Sequence, residues 1–112
     1  MSTESVLNHH LESFGAGNLE ELMGDYTEDS VLIAADATFR GLNEIRNLWT
    51  QLLDGLFKPG TFDFTMGRVE IVENIAYIVW STEGGANIPL GTDTFLITDD
   101  KIAIQTFAAH IL

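Results

Sequence analysis

At Lys58-Pro59-Gly60 the spacing of apolar residues changes, and this change points to an α+β fold. Before it, apolar side chains recur every three or four residues, as in amphipathic helices. After it they fall in runs and alternations separated by short polar links, as in paired strands. The 112 residues are 46% apolar, too core-rich for a disordered acidic tail, and their length predicts one domain over residues 1–112. Seventeen acidic residues against five basic ones give a formal net charge of −12. Phosphate binding is driven by Lys and Arg, so the charge excludes nucleic acid and anionic membranes as expected partners.

Cysteine is absent, which removes disulfides, thiolate nucleophiles and Cys-bound metals from consideration. MSTESVLNHHLESF has neither a basic n-region nor a continuous apolar stretch, so no secretory signal is read there. No apolar run approaches the ~20 residues of a membrane span. A cytoplasmic chain is expected.

The first helix is predicted over 3–15. On a helical wheel Val6, Leu7, His10, Leu11 and Phe14 share an arc of about 140°, with Asn8, His9 and Glu12 outside it. Gly15-Ala16-Gly17 stops this helix, and Asn18 with Glu21 resembles a capping box for a second, whose buried face is Leu19, Leu22, Met23 and Tyr26. Val31 to Ala35 reads as a short strand. A third helix is predicted over 42–57, with Ile45, Trp49, Leu52 and Leu56 as its stripe. Four strands follow, over 61–72, 75–83, 91–98 and 101–111, and their short links favour antiparallel hairpins. Ala76-Tyr77-Ile78-Val79-Trp80 and Phe107-Ala108-Ala109-His110-Ile111 do not alternate cleanly, so these strands need cover on both faces. Helices cover one face, and a second copy is the simplest cover for the other. A homodimer through the outer sheet face is therefore expected.

Three strings resemble a known family. Phe14-Gly15-Ala16-Gly17-Asn18-Leu19 is similar to its junction between helices 1 and 2, Tyr26-Thr27-Glu28-Asp29-Ser30-Val31 to its lead-in to the first strand, and Phe39-Arg40-Gly41 with Ile45 to its lead-in to helix 3. Their order and spacing resemble a SnoaL-like, ketosteroid-isomerase-like member of the nuclear-transport-factor-2-like superfamily over essentially the whole chain. The resemblance implies a cone-shaped, cystatin-like roll, with three N-terminal helices packed on a curved antiparallel sheet around an apolar pocket. It does not imply what fills the pocket.

Two residues are candidates for catalysis. His10 lies inside the apolar arc, at the position where the resemblance places an oxyanion-hole tyrosine; a neutral imidazole there can donate a hydrogen bond or exchange a proton. It is equally readable as a core histidine satisfied by a neighbour. Asp93-Thr94-Phe95 resembles the isomerase segment whose acid stays protonated in an apolar site. Asp93 shares strand parity with Phe95 and Ile97, so it either enters the pocket or sits at the rim, solvated or paired with Arg40 or Arg68. The isomerase's catalytic base falls on Ala34, which cannot abstract a proton, so steroid isomerisation by the usual route is disfavoured. Asp36 shares the parity of Ala34 but reads as the start of a turn.

Phe14, Tyr26, Trp49, Phe57, Trp80, Phe95 and Phe107 are read as candidate pocket walls, or simply core, with Ala34 beside them. His110 has the parity of Thr106 and Ala108, opposite Phe107, and is read as lining either the pocket or the dimer interface. No metal site is expected: His9 and Glu12 are one turn apart without a third ligand at recognisable spacing. The acids Glu20-Glu21, Asp25 and Glu28-Asp29 read as a solvated face. With His10 and Asp93 on apolar faces, the resemblance implies a cofactor-independent isomerase, cyclase or dehydratase acting on a small apolar carbonyl compound. The alternatives are a non-catalytic domain that binds a small ligand, or a dimeric association module.

Overall fold

The structure, a computed structural model, describes residues 2–112. Helix α1 (Thr3–Ala16) starts at Ser2, whose side chain accepts a hydrogen bond from the Ser5 amide at 3.0 Å while Ser5 answers with its own hydroxyl. It ends at Gly17, held left-handed at φ 64°, with the Gly17 and Asn18 amides returning to Phe14 and Ser13. That reversal sends the chain into α2 (Leu19–Met23), capped by Asn18 on the Glu21 amide. The second helix is shorter than its spacing predicts, and Tyr26 lies beyond its end.

Strand β1 (Val31–Ala34) and β2 (Thr38–Arg40) form a small hairpin before α3 (Gly41–Asp54). Four longer strands follow: β3 (Phe62–Val72), β4 (Ile75–Gly84), β5 (Ile88–Thr98) and β6 (Lys101–His110). They make a six-stranded sheet in the order β2-β1-β6-β5-β4-β3. All pairings are antiparallel except β1 with β6, which run parallel. Two features depart from the expected layout. Strand β2 occupies residues read only as a lead-in to the third helix, because three residues carry no measurable period. The parallel β1–β6 pair closes the sheet between residues some seventy apart, a pairing that local pattern does not encode.

The three helices cover one face of this sheet, and the core lies between the layers, built from residues such as Val6, Leu7, Leu22, Ile45, Trp49, Ile78 and Phe95. Register shifts at Met66/Arg68 in β3 and Trp80/Thr82 in β4 mark β-bulges, which bend strands toward one face. Between β5 and β6 the link is Asp99-Asp100, both at positive φ, as a two-residue type I′ turn requires.

Candidate active site

Five elements and one loop deliver the polar side chains of the interior. Helix α1 carries His10, 3% exposed, on the arc that also buries Val6 and Leu7. Its ring stands edge-on to Tyr26, Trp49 and Phe95, with centroids 6.1, 5.8 and 5.2 Å away. Burial among these rings holds the His10 imidazole neutral, its pKa down at about 3. Nδ1 is sealed without a hydrogen-bond partner, and Asp25 Oδ2 lies 3.9 Å from it, too far for a hydrogen bond.

Strand β5 carries Asp93, 8% exposed, on the inner face with Phe95 and Ile97. Its placement depends on Gly91, the register partner of Trp80 on β4. A Cβ at Gly91 would meet the indole at 2.4 Å, so only glycine leaves room for that ring. The Trp80 Nε1–H donates to Asp93 Oδ1 at 2.9 Å, and Gln105 on β6 donates Nε2–H to Oδ2 at 2.8 Å. Burial pushes the Asp93 carboxyl up to about 6, with the Gln105 and Trp80 hydrogen bonds pulling the other way.

The polar chain extends further. Gln105 Oε1 accepts from the Tyr26 hydroxyl, whose oxygen accepts the Trp49 Nε1–H at 3.2 Å. Gln105 thus joins the loop after α2 to β5 through its two amide atoms, and the sequence reading did not single it out. The available signal was its parity with Phe107: a polar residue sharing the inner face of β6.

His10 and Asp93 line one cavity of about 40 Å³ with Phe14, Trp49, Phe57, Trp80, Phe95, Gln105, Phe107 and aliphatic side chains. A water needs roughly 10–15 Å³ by such a measure, so this space holds a few waters and is far below the roughly 300 Å³ of sites for drug-sized ligands. A second hollow of about 240 Å³ lies toward Pro59, Gly60 and Phe62. Leu11, Phe14 and Phe64 border both spaces. Phe14 is half-buried and packs on Trp49, Phe57, Phe62 and Phe64, so its ring stands between the inner cavity and the hollow.

Three expected pocket residues lie elsewhere. Tyr26 is buried behind the cavity as the middle of the polar chain. Ala34 is half-buried on the inner side of β1, opposite Phe107, and does not border the cavity. His110 is exposed: its partner across β5 is Leu90, also exposed, and the parity of Thr106 and Ala108 turns it to the outer face. Neither Arg40 nor Arg68 pairs with Asp93; its partners are Trp80 and Gln105. Asp36 is exposed in the turn between β1 and β2.

The acidic face also needs correction at one residue. Glu20, Glu21, Glu28 and Asp29 are exposed, but Asp25 is 6% exposed and accepts His9 Nδ1–H at 2.8 and 2.9 Å. Its carbonyl also accepts the Ile102 amide, which ties α2's exit to β6. The Asp25 carboxylate holds the His9 pKa above its usual value, whereas burial raises that of Asp25 itself. Among the described residues no three His, Asp or Glu side chains are grouped to hold a metal ion, and no helix is long and apolar enough to cross a membrane.

Comparison with known proteins places this architecture. The profile of the SnoaL-like domain family matches residues 7–105. A protein from Kribbella flavida, provisionally named a ketosteroid isomerase, superposes with a TM-score of 0.79 at 14% identity, over 96% of this chain and 77% of that one. A provisionally named polyketide cyclase from Sinorhizobium meliloti gives 0.77 at 16% identity, over 92% and 93%. An NTF2-like protein of unknown function from Mesorhizobium loti gives 0.79 at 16% identity, over 96% and 90%. At such identities the likeness establishes a shared fold alone. No curated protein matches the sequence.

Proposed function

We propose that this chain, which belongs to the SnoaL-like domain family, is a small proton-transfer enzyme of the isomerase, cyclase or dehydratase kind, acting through its own side chains on a small, largely apolar carbonyl compound. One observation carries the reading: His10 from α1 and Asp93 from β5 converge on a single cavity walled by aromatic rings. Asp93 is the proton carrier. With its pKa near 6 it is mostly ionised at neutral pH, yet basic enough to take a proton from carbon and return it. Trp80 and Gln105 each occupy one of its oxygens, which fixes the carboxylate while leaving lone pairs free. Neutral His10 hydrogen-bonds the substrate. The small inner cavity accommodates the reacting end, and a rotation of the Phe14 ring would open it to the hollow, which takes the rest of the molecule.

The test is solvent exchange. In D₂O the protein is expected to place deuterium beside the carbonyl of a small ketone such as cyclohexanone or acetophenone faster than buffer does. Asp93→Asn is expected to lower that rate by about 10²-fold or more. Exchange at the buffer rate across a panel of small ketones, with and without a hydroxyl or amine, would sink the reading. Such a result would leave the binding-domain alternative, which is favoured by Ala34 standing where the resemblance places the isomerase's base.

A second copy of the chain is the proposed partner. The outer face of the sheet sets exposed Ile33, Ile75 and Ile104 around half-buried Tyr77, Val79 and Leu96, with Thr92, Thr94, Thr106 and Ala108 between them and the exposed pair Arg68 and Glu70 on β3 at its border, opposite Val79 and Tyr77. Light scattering at micromolar concentration is expected to give twice the chain mass of 12.4 kDa. A mass of one chain refutes the dimer.

A further inference from the structure

The geometry points to Asp25 as a positioning residue for His10: it holds the neutral imidazole as the Nδ1–H tautomer, so that Nε2 meets the cavity as a hydrogen-bond acceptor and selects ligands carrying a hydroxyl or amine hydrogen. The ligand half of this inference rests on the pocket reading above and deepens it.

A neutral imidazole has one N–H and one lone pair, and its surroundings decide which nitrogen carries which. Nδ1 of His10 is sealed from solvent, and no group is hydrogen-bonded to it. The charged groups nearest it are the Asp25 carboxylate, whose Oδ2 is 3.9 Å away, and His9, which hydrogen-bonds that carboxylate and whose own charge also acts on His10. A lone pair on Nδ1 would point negative charge at negative charge at a nitrogen sealed from solvent, whereas an N–H there is attracted. Asp25 is itself held in place: both oxygens accept the same His9 N–H, and its backbone oxygen accepts the Ile102 amide. The proton of His10 therefore belongs on Nδ1. Nε2 is left as the acceptor: Nδ1 is the sealed, unpartnered nitrogen and Nε2 is not, and His10 lines the cavity.

This changes what the cavity offers. Trp49 and Trp80 have already committed their N–H groups, to Tyr26 and Asp93. Gln105 has given one N–H to Asp93 and filled its oxygen with Tyr26, and it keeps one N–H. The unmet capacity is then mainly acceptor capacity: Nε2 of His10 and the spare lone pairs of Asp93. A ligand group with its own hydrogen satisfies these atoms. One that has only a carbonyl leaves them unpaired, and a buried site discriminates strongly on that basis. Within the carbonyl compounds of the proposed reaction, the substrates selected are those that also bear a hydroxyl or amine.

Long-range ¹⁵N–¹H correlation spectra of the labelled full chain at pH 7 test the first half directly, with His10 assigned among the three histidines by its loss in His10→Phe. The expected pattern has Nδ1 as the protonated nitrogen; Nε2 protonated, or both, overturns the proposal. Asp25→Asn, which keeps the shape and removes the charge, is expected to move the population toward Nε2–H, and an unchanged pattern in that variant removes Asp25 from the role. For the second half, benzyl alcohol and benzaldehyde share a skeleton and differ in the hydrogen. Titrated against tryptophan fluorescence, the alcohol is expected to bind about tenfold tighter or more. Equal or tighter binding of benzaldehyde overturns the ligand class even if ketone exchange occurs. Selective binding of the alcohol without ketone exchange sustains it while sinking the proton-transfer reading.

Discussion

Replacing His10 with Phe is expected to make the fold more resistant to acid, with a stability gain over the parent that grows from pH 7 to pH 4. The native imidazole takes a proton only near pH 3, whereas the unfolded chain takes it near 6.5. Between these values the unfolded state binds more protons, so acidification favours unfolding through this residue. At pH 4 the effect is about 3 kcal/mol, or roughly 10 °C in Tm for a domain of this size. Asp93 works in the opposite sense. Its pKa rises from 3.8 unfolded to about 6 native, so the native state protonates first and acidification through that window favours folding. His9 and Asp25, both raised, act in the same direction as Asp93. His10 is thus the group among these four that makes acid harmful, and phenylalanine suits its ring-lined setting. Thermal melts of both proteins at pH 7, 5.5 and 4 check this. A difference that does not change with pH means that His10 is not buried neutral.

Gln105→Leu is expected to destabilise the protein by about 3 kcal/mol at pH 7, although leucine nearly matches glutamine in volume. Two buried groups lose partners at once: Asp93 Oδ2 loses its donor, and the Tyr26 hydroxyl loses its acceptor. Each orphaned group costs about 1–3 kcal/mol, partly offset by the apolar surface that leucine buries. The loss also depends on pH. The Gln105 hydrogen bond holds the Asp93 pKa down, so removing it raises that pKa further and lets protonation relieve the orphaned charge. Urea unfolding is therefore expected to show a smaller deficit at pH 5 than at pH 7. A deficit under 1 kcal/mol at pH 7, or one that grows on acidification, contradicts the polar chain.

These two residues mark the boundary of what local pattern encodes. His10 stood out because wheel position depends only on the residues within a turn or two, and its burial follows from Val6, Leu7 and Phe14 around it. Asp93 stood out through its parity with Phe95 and Ile97, again a local regularity. Gln105 had the same kind of signal beside Phe107, but its importance comes from Tyr26 and Asp93, 79 and 12 residues away. Asp25 was misread for the same reason. Among neighbouring acids it resembles coating, and only the approach of His9 from α1 makes it a buried partner.

By itself the sequence determined the α+β class, the three helices, the four long strands to within a few residues, and the resemblance that the family match bears out. Each of these depends on spacing within one segment or on the order of short motifs. Tertiary structure alone decided the parallel β1–β6 pairing, the strand at Thr38–Arg40, the outward turn of His110, and the fit of the Trp80 ring over Gly91 that gives Asp93 its donor. The physical reason is the same throughout. Periodicity says which side of an element is apolar, but which atoms meet across the core is set by register and packing between segments distant in the chain.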